Sequence, residues 1–233
     1  MGVKRIAILT GGGDCPGLNG VIRAVVRAAT REHKLQVLGV QDGFEGLAVT
    51  PARVRRLDVG DVRGLLPRGG TILGTSNRAN PFAFPVKTGG RVVLKDVSRA
   101  IIKRLSTLGV EALIVVGGDG SLSIAHEMGK LGVRVVGVPK TIDNDLSVTD
   151  LTFGFDTAVA TAVDALDKLH TTAESHHRVM ILEVMGRNAG WIALHAGVAG
   201  GADVILLPEF PYDIQRVVAK IAAQHEHAAH GSH

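Results

Sequence analysis

The sequence predicts an α/β fold built on mostly parallel sheets with helices packed on their faces. Two observations carry that prediction. Short β-branched runs alternate with longer segments of helical period, and glycine-rich turns stand just after several predicted strands. Length agrees, since 233 residues with 45% hydrophobic and 21% charged content suffice for one large α/β domain or two small ones.

Residues 6–9 read as the first strand, 11–17 as a loop, and 18–31 as a helix with Ile22, Val25, Val26 and Ala29 on one buried face. Residues 37–40 read as a second strand. A polar stretch with Gly and Pro runs from 41 to 90, and within it Arg68-Gly69-Gly70-Thr71-Ile72-Leu73-Gly74 reads as a further phosphate-friendly turn. Residues 92–108 read as a helix, 112–116 as a strand, 121–131 as a helix and 133–138 as a strand. After a loop over 139–150, Asp156 is placed to cap a helix whose apolar face is Val159, Val163, Leu166 and Leu169. Strands at 179–184 and 204–207, a helix from Ala189, and a helix carrying Ile214, Val217, Val218 and Ile221 complete the pattern. A domain change near 139 is expected, where two sheets could face each other across a cleft.

Composition excludes several functions. Lys and Arg exceed Asp and Glu only 26 to 22, the basic residues are dispersed, with Arg53, Arg55 and Arg56 the densest group, and aromatics are 3%. That is a solvated surface rather than a nucleic-acid footprint. Cys15 has no internal disulfide partner and reads as a small residue filling a tight turn. The first apolar run is too short for a signal segment and no stretch reaches a membrane span, so a cytoplasmic protein is expected. His225, His227, His230 and His233 crowd the last residues, but without fixed geometry they read as a frayed polar terminus rather than a zinc site.

The candidate chemistry lies in the turns. Thr10-Gly11-Gly12-Gly13-Asp14, Gly69-Gly70-Thr71 and Gly117-Gly118-Asp119-Gly120-Ser121 are read as sitting just after predicted strands. Glycine allows close approach of the main chain, and the following helix offers unsatisfied N–H groups to an anion. One such turn is weak evidence, and three at strand ends are more. The spacing is neither a P-loop nor a dinucleotide fingerprint. Asp119, flanked by glycines, suits Mg²⁺ shared with substrate phosphates, or alternatively caps the next helix. Asp143 and Asp145 stand two apart in Thr141-Ile142-Asp143-Asn144-Asp145, which on the residues alone reads as a turn. Arg178 and Met185-Gly186-Arg187 supply cations. A phosphate cradle, a divalent ion, a base and cations are the parts a phosphoryl transfer needs.

GGGDCPGLN, GGT.LG, GGDGS, PKTIDND, TFGFDTA, ESHHR, EVMGRNAGW and ADVILLPE, in that order, resemble the phosphofructokinase family from the first strand to about residue 212. The resemblance implies two Rossmann-like three-layer α/β/α domains: a nucleotide-phosphate-binding domain over 1–138 and a substrate-binding domain over 139–233, the large domain incomplete in this chain. It implies ATP as cosubstrate with Mg²⁺, and phosphorylation of D-fructose 6-phosphate to fructose 1,6-bisphosphate in glycolysis. Asp143 would be the general base toward the C1 hydroxyl. Gly13, Arg78, Gly118, Asp119, Gly120 and Ser121 would hold the nucleotide, with Asp119 serving the metal. Thr141, Ile142, Arg178, Met185, Gly186 and Arg187 would hold the sugar phosphate, Arg187 also reaching the transition state. Arg178 resembles the arginine that reaches a neighbouring subunit, implying a homodimer or homotetramer.

The departures from the family pattern are as informative. Asn77 intervenes before Arg78, and His170 stands where the family's effector site has an arginine, while Arg23 and Arg27 match other effector contacts. Pyrophosphate users of the family carry an acidic residue after the GGD aspartate and a lysine before TIDND. Here the pair is Gly120 and Lys140. Glycine leaves room for ATP and the lysine is pyrophosphate-like, and occlusion gives Gly120 the greater weight. Family members also continue well past residue 233, so an alternative is an inactive fragment acting as a binding or assembly module.

Overall fold

The computed structural model describes residues 4–147 and 149–230, the last seven by backbone alone. The chain forms two compact units, one from Met1–Thr141 and Leu146–Gly154, the other from Ile142–Asp145 and Phe155–His233.

The first unit holds the sheet. In chain order it contains β1 (Arg5–Thr10), α1 (Leu18–Arg31), β2 (Gln36–Val40), the short α2 (Glu45–Ala48), β3 (Val54–Leu57), β4 (Phe84–Thr88), β5 (Arg91–Lys95), α3 (Ser98–Thr107), β6 (Ala112–Gly117), α4 (Asp119–Lys130), β7 (Val135–Thr141) and β8 (Phe153–Gly154). Six strands lie in the order β3-β2-β1-β6-β7-β8. All neighbours run parallel except β3, which closes one edge antiparallel to β2. β1 sits at the centre because Ile6, Ala7, Ile8 and Leu9 are apolar on both faces, and all four are buried. Ala7 and Leu9 join Leu113 and Val115 of β6, Ile101 and Leu105 of α3, and Ala125 and Met128 of α4 in one cluster. Each Leu, Ile, Val or Met side chain among them withdrawn from water contributes about 1.5–3 kcal/mol.

The structure corrects the reading of 92–108 as one helix. Residues 91–95 are β5, paired in register with β4 across Gly89 and Gly90, with Thr88 opposite Arg91. Both glycines have positive φ, 58° and 78°, the geometry of a two-residue hairpin turn. The helix starts only at Ser98, whose N–H donates to Asp96 Oδ1 at 2.8 Å. The polar stretch 41–90 also contains α2 and β3, which the sequence pattern did not mark.

The second unit consists of α5 (Phe155–His176), α6 (Trp191–Ala199) and α7 (Ile214–His230). Phe155, Ala162, Ile192 and Ala196 form its core. The strands expected at 179–184 and 204–207 are absent: both segments are irregular. A strand exists only with a hydrogen-bonded neighbour, and no ladder forms in this unit among the described residues. Val179 and Ile181 accordingly remain 51% and 88% exposed, while Leu182 and Val184 pack on the core. Asp156 stands inside the first turn of α5, not at its cap. The backbone is helical to His230 where a frayed end was expected. The side chains of His225, His227 and His230, and all of His233, lie outside the described residues, as do Met1–Val3 at the N-terminus. Among the described residues no helix is long and apolar enough to cross a membrane, and no group of three or more His, Cys, Asp or Glu gathers to hold a metal.

Candidate active site

β1 is flanked by β2 on one side and β6 on the other, so the strand order reverses direction there. Open α/β sheets bind ligands in the crevice at the carboxyl ends of such strands. The loops leaving β1 and β6 at that point are the first and third glycine-rich turns. Hydrogen bonds join the first turn to the second. Thr10 Oγ1 donates to Gly74 O at 2.7 Å and lies 3.0 Å from Thr71 Oγ1. Gly12 N–H donates to Ser76 O at 3.1 Å, and Thr75 Oγ1 donates back to Gly12 O at 2.6 Å. Gly11 N–H donates to Val116 O at 2.9 Å, joining the first turn to the end of β6. All three turns predicted from sequence are thus brought together.

α4 begins at Asp119, two residues earlier than the sequence pattern suggested, with Gly118 as its N-cap. The first intrahelical bond runs from Leu122 N–H to Gly118 O, which leaves the N–H groups of Asp119, Gly120 and Ser121 in the open first turn. Gly118, not Asp119, is the N-cap, and Asp119 is the first helical residue with its carboxylate exposed. A Cβ built on Gly13 or Gly120 would meet nothing within 4 Å, so both border open space. Gly117 is the opposite case, because a Cβ there would lie 2.4 Å from Ser121 Cβ. Gly117→Ala is therefore expected to cost about 1–3 kcal/mol of stability through overpacking, read as a lowered denaturation midpoint with unchanged slope.

Lys140 ends within the same cluster of turns. It is 5% exposed, its Nζ donates to Gly13 O, and no carboxylate pairs with it among the described residues. A buried ammonium without a counter-charge favours an anion beside it. Cys15 lies nearby, its thiol pushed up to about 11 by burial, against the lowering effect of the Lys140 charge. Its Sγ–H has Pro16 O and Phe153 O within 3.3 Å, which suits a filler and not a nucleophile. Arg78 is exposed at the end of the second turn's segment, its N–H donating to Ser76 Oγ at 3.3 Å. Thr141 is the last residue of β7, and its carbonyl accepts from Thr152 Oγ1 at 2.7 Å.

In the second unit, Ile142, Leu182 and Val184 pack against the same core of Phe155, Ala162, Ile192 and Ala196. One apolar anchor therefore carries both candidate segments, Asp143 following Ile142 and Met185-Gly186-Arg187 following Val184. Gly186 is required in its turn: φ is 143°, and a Cβ would stand 2.2 Å from Ala189 O. Ala189 N–H donates to Gly186 O at 2.8 Å, and Arg187, at φ 51°, is exposed. Glu209 Oε1 accepts from Gly190 N–H at 2.7 Å and ends this turn at the start of α6. Arg178 does not open a strand; it follows α5, bonded through its N–H to Ala173 O at 3.0 Å. His170 lies with Nε2 2.7 Å from Gly200 O, at the end of α6.

Comparison with known proteins agrees with this geometry. Residues 5–232 match the family described as phosphofructokinase. The ATP-dependent 6-phosphofructokinase 2 of Clostridium perfringens is 57% identical over 225 residues, covering 96% of this chain and 61% of that protein. The pyrophosphate–fructose 6-phosphate 1-phosphotransferase of Streptomyces coelicolor is 52% identical over 221 residues, covering 94% and 61%. Among solved structures, phosphofructokinase from Saccharomyces cerevisiae superposes with a TM-score of 0.81 at 36% identity, covering 96% of this chain and 32% of that one. The chain thus spans about three-fifths of the length of the curated relatives it matches. Over that span, the chain belongs to the phosphofructokinase family.

Proposed function

We propose that this polypeptide supplies the donor site and the catalytic base for ATP-dependent phosphorylation of D-fructose 6-phosphate to fructose 1,6-bisphosphate. The open space beside Gly120, in the first turn of α4, is the observation that carries the choice of ATP. Residues 1–138 bind the donor and 139–233 the sugar phosphate. Gly13, Arg78 and the N–H groups of Gly118–Ser121 bind the phosphates of the donor, the helix terminus favouring their negative charge. Asp119, with its exposed lone carboxylate, would hold Mg²⁺, which would supply charge neutralisation for those phosphates when bound. Asp143 takes the proton of the C1 hydroxyl as that oxygen attacks the γ-phosphorus. Thr141 and Ile142 border the transferred group, Met185, Gly186 and Arg187 contact the sugar phosphate, and Arg187 also bears on charge developing in the transition state. Arg178 reaches the 6-phosphate in a neighbouring subunit of a cytoplasmic homodimer or homotetramer.

Pyrophosphate is the second reading, favoured by the buried ammonium of Lys140 among the glycine turns, which pairs with no carboxylate among the described residues, and by the donor named for the Streptomyces coelicolor relative. Steady-state assays coupled to fructose 1,6-bisphosphate formation, run with each donor in turn, separate the two. Turnover with ATP at least tenfold more efficient than with pyrophosphate is the expected result, and the reverse ratio assigns pyrophosphate. Product formed with either donor rejects the alternative that the 233-residue chain is an inactive binding or assembly module.

A further inference from the structure

Asn19 has no part in the roles above, yet it is among the most buried polar residues of the first unit, at 2% exposure. It is the second residue of α1, directly after the first glycine-rich turn. Its Nδ2 donates to Arg68 O at 3.0 Å and Gly69 O at 3.1 Å, and its Oδ1 accepts from Ile72 N–H at 2.9 Å. One carboxamide thereby satisfies three main-chain groups of the second turn, using both its donors and an acceptor.

The segment after that turn is tied at two further points, both on the first turn. Thr10 Oγ1 bonds Gly74 O, and Gly12 exchanges hydrogen bonds with Thr75 and Ser76. Thr10 and Gly12 thus hold the 71–76 part, while Asn19 holds its beginning from α1. Arg78 stands two residues past the last of these bonds, exposed, with its N–H on Ser76 Oγ.

We propose that Asn19 is a positioning residue of the donor site: its carboxamide sets the 68–78 segment, and with it Arg78, against the first glycine-rich turn. This rests on the reading of that turn as the donor-phosphate cradle. An Asn at this place is not replaceable by its acid. In Asn19→Asp the carboxylate keeps an acceptor for Ile72 N–H but faces the carbonyls of Arg68 and Gly69 with no hydrogen to give. Those carbonyls and the burial disfavour the ionised form, so the proton that restores one donor is expected to return as pH falls.

The test is the affinity of the 233-residue chain for Mg-ATP, by titration calorimetry at pH 8 and pH 6, with folding checked by circular dichroism. Asn19→Asp is expected to bind roughly tenfold more weakly than wild type at pH 8 and to recover toward it at pH 6. A change confined to overall stability would move the melting temperature and leave the affinity of the folded chain unaltered. Arg78→Ala and the double variant complete a cycle at pH 8, where the loss from Asn19→Asp is expected to be largest. Losses that fail to add support action through Arg78, and strictly additive losses overturn it. Affinity of Asn19→Asp within twofold of wild type at both pH values overturns the proposal while leaving the donor site standing. Failure of the wild-type chain to bind Mg-ATP overturns the donor reading itself.

Discussion

Asp143→Ser is expected to lower turnover of fructose 6-phosphate by about 10²–10⁴-fold, the usual contribution of a positioned general base. A serine hydroxyl does not accept the C1 proton at neutral pH, so the attacking oxygen must lose it to water. Binding should change little. Ile142, the neighbour that anchors the segment on the core of the second unit, is untouched by the substitution, and serine leaves no overpacked atom. Removal of a negative charge near a sugar phosphate should, if anything, tighten KM for that substrate, and a kcat loss with steady or lower KM identifies a group acting in the transition state. Steady-state kinetics with both substrates varied make the measurement. Turnover within a fewfold of wild type would remove Asp143 from the chemistry.

Gly120→Asp tests the donor. A side chain at this position enters open space, and Gly120 is not among the glycines with positive φ, so aspartate fits without strain. Its carboxylate in the first turn of α4 interacts favourably with the helix dipole by about 0.3–1 kcal/mol. Stability should therefore hold or rise slightly. The same charge stands where the proposed nucleotide phosphates lie. Two like charges about 4 Å apart near a protein surface repel by about 4 kcal/mol, and screening by Mg²⁺ and solvent reduces this. A loss of about 10²-fold in kcat/KM for ATP is the expected result, with a smaller change for pyrophosphate, whose counter-charge at Lys140 is unaltered. Equal losses with the two donors would mean that Gly120 does not discriminate between them, and an unchanged kcat/KM for ATP would place the donor elsewhere.

The parts of the fold that sequence made legible are those where one residue pattern allows one environment. Residues 6–9 and 112–116 are apolar on both faces and became central strands, and the helix over 18–31 was found with its bounds intact. Val92-Val93-Leu94 misled because an apolar run of three fits either period, and the Gly89-Gly90 turn that decides it was read as loop. Residues 179–184 misled differently: the residues favour a strand, but pairing depends on a neighbour that composition does not report. Of the candidate site, the glycine turns and Lys140 stood out in the sequence. Asn19 was not, because an asparagine inside a helix carries no signal and its partners lie 49 to 53 residues away. Asp143 read as a turn residue on spacing alone, and only the family resemblance distinguished it.

The chain passes from the first unit into the second after Thr141, returns at Leu146, and passes again after Gly154. No single scission separates the units. A polypeptide begun at Phe155 would keep Ala162, Ile192 and Ala196 but lose Ile142 from the core they share, and one ended at Gly154 would carry the 142–145 excursion with nothing to pack it. Swapping the proposed sugar-binding halves between relatives by one crossover at either point would therefore detach the proposed base from its own support. A functional chimera needs the four residues from 142 to 145 to travel with the segment that follows 154.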